Sequence, residues 1–346
     1  MLFRRSRSGV VIEINPFRVL LARLGRLGGD AVHIEQVAEL PADDPVGVRR
    51  ELRRLFPEHK NYVPGICGIF PPTRLLQREE LNAKKFAYPD YLSNLLAGQY
   101  KIPAEKWRVG LVSPFDGAPF GPKNPPVKDV LLCGEATDEL LVAQHRFLDL
   151  GVLPRRMEIA SLAVLGGVQS YQAMMGDARP VAIVELDFHR TYLFILGKNG
   201  VHTSAPIAFG FNALIEAACK ELGSEDATAV RARLATGEAA IVARSPRLLR
   251  QLVRNLKPAV DYFELQTGQR VNDLYCTFLP PGLAWLGQAL AASLEMQDLP
   301  VVCADWLKHL AITSPDDLPA RLGSHWLSLI SLIARLSPAS HAKKTE

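Results

Sequence analysis

The sequence predicts an α/β protein with two lobes, each built from a strand-rich unit of the same pattern. At 346 residues the chain is longer than one hydrophobic core usually supports, so two lobes are expected. Its composition, with 48% apolar and 22% charged residues, is typical of a folded globular protein. The order strand, turn, strand, strand, then helices occurs twice, beginning at Gly9 and again at Pro180, and this repetition indicates an internal duplication.

The elements of the first copy follow from the spacing of apolar residues. Apolar runs on both sides of a bend at Asn15-Pro16 predict a hairpin, and an apolar run that Pro71-Pro72 ends predicts a buried strand. Alternation and 3.6-residue spacing predict a strand and a helix between them. The predicted elements are a hairpin at 9–24, a strand at 31–40, a helix at 45–56 and a strand at 65–70.

The texture of the sequence then changes, and residues 73–154 are predicted to form an insert in the first lobe. A stretch rich in Pro and Gly at 113–127 predicts a loop, and Gly151 is the expected stop of a helix. Around them we predict helices at 90–100 and 138–150, and strands at 107–112 and 130–133.

The second copy begins with a strand, a turn from Asp187 to Arg190 and another strand. Lys198-Asn199-Gly200 predicts a hairpin turn into a third strand, and amphipathic spacing then predicts a long helical stretch. The predicted elements are strands at 181–186, 191–196, 201–204 and 274–278, helices within 212–265 and at 282–294 and 324–336, and an edge strand at 300–303.

These elements divide the chain into three units. The first lobe is predicted at 9–72, 155–178 and 320–338, the insert at 73–154, and the second lobe at 179–319 with a helical subdomain at about 212–268. Residues 1–8 and 339–346 are predicted to be flexible ends.

Charge and cysteine spacing exclude some partners and sites. The net charge is only +4 and we find no basic stripe with interleaved aromatics, so nucleic acid is not an expected partner. The five cysteines are widely spaced, without Cys-x-x-Cys pairs or Cys/His clusters. This spacing indicates buried free thiols, a reducing cytosolic compartment and no metal site.

Hydropathy bears on the relation to membranes. No apolar run reaches the roughly 20 residues of a membrane span, and no secretory signal follows Met1. We therefore expect a cytoplasmic protein that reaches a membrane only through a partner. The run containing Phe3, Arg4, Arg5 and Arg7 leaves two interpretations open, a solvated leader or a contact with anionic lipid.

Three spans, together with the hairpin at 9–24 and the last helix, carry a resemblance to a known family. They are 129–168, which contains VLLCGEATDELLVAQHRFLDLGVLPRRMEIASLAVLGGV; 180–214, which ends in Gly-Phe-Asn-Ala-Leu where the family has Gly-Gly-polar-Ala-Leu; and 252–294. Their order of strands and helices resembles that of the type IV pilus assembly protein PilM family, in the FtsA/PilM branch of the actin-like ATPase superfamily. The resemblance implies an actin-like (ribonuclease-H-like) two-lobed α/β fold with duplicated βββα units and an inserted α+β subdomain.

In that superfamily the two hairpin turns face one cleft and hold the phosphates of ATP. Glycine there lets backbone N–H groups approach the anion, and an aspartate holds the metal through water. In this chain the positions are taken by Glu13, Asn15, Pro16 and Arg18 in the first turn, Glu185, Asp187, His189 and Arg190 in the second, and Phe278, Leu279, Pro280 and then Gly282 in the adenosine loop. The resemblance thus implies a degenerate nucleotide cleft, no ATP hydrolysis, and neither ATP nor magnesium as cofactor.

The charges of this cleft leave one question open. Asp187 would place a carboxylate where phosphate oxygens lie, and Pro16 lacks a backbone donor. The basic residues Arg18, His189 and Arg190 either hold some other anion or pair with the carboxylates of the two turns.

The resemblance implies a non-catalytic cytoplasmic adaptor of an inner-membrane assembly platform for type IV pili or a related secretion machine. Such an adaptor binds the cytoplasmic N-terminal peptide of a PilN-like single-pass membrane protein in a groove between the first lobe and the insert. Other proteins of the pilus platform are further expected partners. Leu75, Phe86 and Tyr91 are the candidate groove residues, and a second copy of the chain is another candidate partner.

Two alternatives remain. One is an active actin-like or sugar-kinase-like ATPase, in which Glu13 and Glu185 would position magnesium. The other is the cytoplasmic domain of a type II secretion protein.

Overall fold

The computed structural model describes residues 9–25, 32–82, 85, 88, 90–120, 126 and 128–336. The predicted flexible ends, 1–8 and 339–346, and the candidate residue Phe86 lie outside this part of the chain. The strands are β1 (Gly9–Ile14), β2 (Arg18–Leu24), β3 (Val32–Pro41), β4 (Val63–Ile69), β5 (Leu75–Glu80), β6 (Trp107–Val112), β7 (Asp129–Ala136), β8 (Val152–Ile159), β9 (Val181–Leu186), β10 (Thr191–Gly197), β11 (Gly200–Thr203), β12 (Asp273–Cys276), β13 (Gln297–Asp298) and β14 (Ile312–Thr313).

The helices cover the faces of the sheets that these strands form. They are α1 (Pro45–Leu55), α2 (Tyr91–Leu95, continued by a π-helical turn at Leu96–Tyr100), α3 (Thr137–Leu150), α4 (Ala160–Met175), α5 (Phe211–Leu222), α6 (Ala227–Ala235), α7 (Ala239–Val242), α8 (Ser245–Leu248), α9 (Arg250–Thr267), α10 (Ala284–Ser293), α11 (Cys303–His309) and α12 (Leu327–Ala334).

The first sheet has the order β14-β3-β2-β1-β4-β8. Its central strand β1 is antiparallel to β2 and parallel to β4. Successive residues of a strand point to opposite faces, and both faces of β1 are buried: Val10 and Ile12 pack with α1 and α3, whereas Val11 packs with α4 and α12. This explains why the strand is apolar apart from Glu13.

The second sheet, β11-β10-β9-β12-β13, repeats the same relations. Its strand β9 is antiparallel to β10 and parallel to β12, as β1 is to β2 and β4. One face packs against α5 to α10, and the other shares a core with α4, α11 and α12. The internal duplication predicted from the sequence is therefore confirmed at the level of strand pairing.

A third sheet, β5-β7-β6, forms the body of the insert around its own small core. It is attached to the second sheet by polar contacts between β5 and β11. The Arg78 backbone N–H donates to Thr203 Oγ1 at 2.9 Å, and the Arg78 guanidinium donates to the Asn199 carbonyl oxygen at 2.6 Å. The insert therefore contacts both lobes, because β7 leads into α3 and thence to the first sheet.

Most predicted elements are confirmed, and one is wrong. The edge strand predicted at 300–303 is instead β13 at Gln297–Asp298, and Cys303 begins α11. A three-residue apolar run does not distinguish a strand from the buried start of a helix. Two further segments belong to the first sheet. Residues 152–154, predicted to be part of the insert, pair with β4, and Ile312–Thr313, predicted to be part of the second lobe, pair with β3.

Two further observations concern the cysteines and the membrane. All five cysteines are free, and Cys67, Cys133 and Cys303 are buried as predicted, while Cys219 and Cys276 are half-buried. Within the described ranges, no helix combines the length and apolar character that a membrane crossing requires.

Candidate functional site: the cleft between the two hairpin turns

The turns after β1 and β9 are built alike. The Asn15 backbone N–H donates to the Arg18 carbonyl oxygen at 3.0 Å, and the Asp187 N–H donates to the Arg190 carbonyl oxygen at 2.9 Å. Each turn closes a strand pair of the same register. Glu13 and Glu185 are therefore equivalent positions of the two halves, each two residues before its turn.

Side chains of the turns occupy the backbone donors that would face an anion. Asn15 Oδ1 accepts hydrogen bonds from the backbone N–H groups of Phe17, at 3.0 Å, and Arg18, at 2.8 Å. In the second turn, Asp187 Oδ1 accepts from the Phe188 N–H. Because Pro16 has no N–H at all, the first turn has no free donor of the kind that grips a phosphate.

Glu13 is fully buried and engaged from two sides. Its Oε1 accepts from Asn15 Nδ2 at 3.2 Å, and its Oε2 accepts from the Ser328 hydroxyl on α12. Burial raises the pKa of Glu13 to about 7, although both hydrogen bonds lower it; the nearby charge of Glu185 raises it further. The carboxyl group thus belongs to the packing between β1 and α12.

Glu185 is equally buried and has a basic partner. The Arg74 Nη2 and the Ser161 hydroxyl, the latter at 2.9 Å, both donate to Glu185 Oε2. Burial raises the pKa of Glu185, against the charge of Arg74 and these hydrogen bonds. The Arg74 guanidinium also donates to the Pro71 carbonyl oxygen at 2.7 Å and lies 3.8 Å above the ring of Tyr192.

For Arg18, the structure does not bear out pairing with a carboxylate of the two turns, one of the two alternatives left open by the sequence. Arg18 pairs with Glu39 at 3.4 Å, and in the described residues the ion pair of Glu185 is with Arg74. No local pattern pointed to Arg74; the signal was a lone arginine inside the apolar segment that follows β4. An arginine so placed must find a buried partner, because its charge cannot be left uncompensated.

A cleft of about 670 Å³ lies between the two turns, and phenylalanine rings form its floor. The Phe17 ring, on the first turn, lies 5.4 Å from that of Phe188 on the second turn and 5.2 Å from that of Phe211. The Phe278 ring lies 4.7 Å from that of Phe70 and 6.2 Å from that of Phe17. The two turns are therefore joined by contacting aromatic rings.

The segment after β12 closes one side of this cleft. Phe278 is buried and has a φ of 47°, which is unusual for a residue with a side chain. Pro280 lines the cleft, and Gly282 approaches α6 so closely that a Cβ would collide with the Ala235 carbonyl oxygen. Gly282 thus permits close packing of the backbone against α6.

The candidate groove residues lie in the insert. Leu75 is buried in the insert core, and Tyr91 packs half-buried against that core, with its hydroxyl accepting from the Asn82 backbone N–H at 3.2 Å. An open groove of about 160 Å³ lies nearby, between the end of β4 and α3. It is lined by Phe70, Pro72 and, on the helix, Val142, which is 64% exposed.

Metal ligands do not cluster in the described part of the chain. There, no three His, Cys, Asp or Glu side chains come together in a way that could hold a metal ion. Arg74 is the positive charge that faces Glu185.

In comparisons with known proteins, no family model and no curated protein sequence matches this chain. Among solved structures it is similar to a chain of the PilM-PilN type IV pilus biogenesis complex, with 13% identity and a TM-score of 0.68 over 95% of this chain and 98% of that one. It is also similar to the ethanolamine utilization protein EutJ from Carboxydothermus hydrogenoformans, with 8% identity and a TM-score of 0.43 over 96% and 90%. A protein from Bacteroides thetaiotaomicron with an actin-like ATPase fold has 9% identity and a TM-score of 0.42 over 84% and 90%.

The similarity to the chain of the PilM-PilN complex and the duplicated strand pairing define the fold of the protein. The chain has the actin-like α/β fold predicted from its sequence. At 13% identity the likeness to the pilus protein shows the fold alone.

Proposed function

We propose that this chain is a non-catalytic adaptor that works on the cytoplasmic face of the inner membrane, in the assembly of type IV pili or a related secretion machine. The observation that carries the proposal is the aromatic contact between the two turns, where an actin-like ATPase holds its phosphates. Phe17 and Phe188 meet there, and a triphosphate has no favourable interaction with their rings.

The two carboxylates support the same conclusion. An active ATPase would need Glu13 and Glu185 to face bound magnesium, but Glu13 is hydrogen-bonded to Ser328, and Glu185 to Arg74 and Ser161. Recruiting a metal would first have to break these buried contacts. The ATPase alternative is therefore the less favoured one.

We propose further that the partner is the cytoplasmic peptide of a PilN-like single-pass membrane protein, a proposal supported by the similarity to a chain of a PilM-PilN complex. The groove beside α3 suits this role because it joins an apolar floor, Phe70 and Phe147, to the exposed apolar side chain of Val142. Apolar side chains of an extended peptide bind in grooves of this kind without any catalytic group. This placement replaces Leu75, whose side chain is buried, with residues that a partner can reach.

Val142→Asp is expected to weaken binding of such a peptide at least tenfold, because an apolar side chain of the peptide would then have to cover and desolvate a charged carboxylate. Fluorescence anisotropy with the labelled N-terminal peptide of the membrane protein, in the absence of lipid, measures this. Val46→Asp is the matched control: Val46 is also 64% exposed and on a helix, but lies on α1. Equal binding by the wild-type protein and the Val142→Asp variant would contradict the proposed groove, and no binding of the peptide by the wild-type protein would contradict the adaptor itself.

A further inference from the structure

The exposed face of α1 is basic. The buried face of this helix consists of Gly47, Val48, Leu52 and Leu55. Its exposed face carries four arginines, which are Arg49, Arg50, Arg53 and Arg54. Lys60 follows the helix and is also exposed. The net charge of +4 for the whole chain does not reveal this cluster of arginines, in which Glu51 is the one acidic residue of the helix.

Little of this charge is neutralised within the protein. Glu51 pairs with Arg54 at 2.7 Å, and Arg49 donates to the Asp149 carbonyl oxygen, an uncharged acceptor, at 3.3 Å. Among the residues that the structure describes, Arg50, Arg53 and Lys60 form no ion pair. A surface with unpaired positive charges attracts a surface of opposite charge.

These side chains also surround a cavity. A space of about 480 Å³ lies between α1, residues 59–63 and the last turn of α3. Its charged lining consists of the basic residues Arg49, Arg53 and Lys60 and one acidic residue, Asp149. Tyr62 stands at its edge, 50% exposed. A basic cavity of this size accommodates a phosphate group, and a tyrosine with an exposed ring and hydroxyl suits the boundary between water and lipid.

The cavity lies close to the groove of the proposed function. Both touch α3: Val142 lines the groove, and Leu148 lines the cavity six residues later. Six residues of α-helix span about 9 Å along the axis. A partner peptide that emerges from a membrane would thus enter its groove beside the basic face.

From these observations we propose that the basic surface formed by Arg49, Arg50, Arg53 and Lys60 binds the surface of an anionic lipid bilayer, with the cavity receiving headgroup phosphates. The position of this basic surface relative to a membrane-anchored partner rests on the proposed function, but the contact of the surface with lipid does not require that partner. Each Lys or Arg near an anionic surface adds attraction, and this attraction is screened by salt. The protein would then have two contacts at the membrane, one with a protein segment and one with lipid.

Sedimentation with vesicles tests the proposal directly. The full chain is mixed with vesicles of phosphatidylglycerol and phosphatidylcholine, or of phosphatidylcholine alone. Replacing Arg49, Arg53 and Lys60 together by Gln is expected to weaken binding to the anionic vesicles about 10- to 100-fold. Binding by the wild-type protein is expected to be lost on phosphatidylcholine alone and at high salt.

A matched control separates this surface from net charge. Replacing Arg250, Arg254 and Lys257 together by Gln removes the same three charges from an exposed face of α9, on the other lobe. This variant is expected to bind within about twofold of the wild-type protein. Equal loss in both triple variants, binding to vesicles that does not depend on anionic lipid, or tighter binding to duplex DNA at equal phosphate concentration would overturn the proposal.

A negative result in the vesicle assay is distinguishable from a negative result for the proposed adaptor function. The vesicles contain no protein, and the peptide assay with Val142→Asp contains no lipid. Thermal unfolding of both triple variants checks that they fold, since all six replaced side chains are exposed.

Discussion

Arg74→Ala is expected to lower the free energy of unfolding by about 3–5 kcal/mol, the cost of removing one partner of a buried ion pair. The side chains of Arg74 and Glu185 are 1% and 0% exposed, so water cannot replace the lost charge. The change also removes the hydrogen bond to the Pro71 carbonyl oxygen and the stacking on Tyr192. Urea unfolding followed by circular dichroism measures the difference.

Arg54→Ala is the matched control for this prediction. Arg54 also pairs with a glutamate, Glu51, but at the surface of α1, where such pairs contribute about 0–1 kcal/mol. Arg74→Lys should also be destabilising, because one ammonium cannot serve Glu185, Pro71 and the Tyr192 ring together. A loss in Arg74→Ala no larger than that in Arg54→Ala would mean that this pair does not hold the insert against the second lobe.

Glu13→Gln is expected to stabilise the protein by up to about 3 kcal/mol at pH 8, and to have little effect below about pH 4.5. Burial raises the pKa of Glu13 from 4.5 to about 7. A group whose pKa is higher in the folded state contributes stability that is present at low pH and lost as the pH rises through the folded value. The difference of about 2.5 pH units corresponds to about 3 kcal/mol, and the glutamine carries no charge that must be buried.

The measurement is the free energy of unfolding at several pH values between 4 and 9. The difference between wild type and Glu13→Gln should grow from about pH 4.5 to about pH 7 and then stay constant. The exposed Glu105 supplies the control, since Glu105→Gln is expected to follow the wild-type profile. A constant difference at all pH values would show that Glu13 does not titrate in this range.

Local sequence patterns were sufficient to predict the two hairpins that form the cleft. The hairpins around Asn15 and Asp187 follow from alternating apolar runs and turn residues that are adjacent in sequence, and both form as predicted. The duplication also follows from local patterns, because each half repeats the same short-range order. The predicted fold class is confirmed on these features.

The partners of the buried carboxylates could not be predicted in this way. Arg74 lies 111 residues from Glu185, and Ser328 lies 315 residues from Glu13. Such contacts depend on how the sheets and helices pack, and a sequence pattern of a few residues carries no information about them. Pairing of these carboxylates with the nearer basic residues of the turns was one of two alternatives left open, and Arg18 instead pairs with Glu39 on β3.

The basic face of α1 was missed for a different reason. The sequence contains two Arg-Arg pairs, at 49–50 and 53–54, but the net charge of the whole chain does not show that they lie on one surface. The periodicity of the α-helix places Leu52 and Leu55 on its buried face and these arginines on its exposed face. A count of charge for each helix face would have found the surface.

Calorimetry with ATP and magnesium tests most directly whether the two hairpin turns bind a nucleotide. We expect binding weaker than about 1 mM for the wild-type protein, because the backbone donors of the first turn are occupied and the carboxylates of Glu13 and Glu185 are buried. Micromolar binding that requires magnesium and is abolished by Glu13→Ala or Glu185→Ala, in variants shown to be folded, would contradict this expectation.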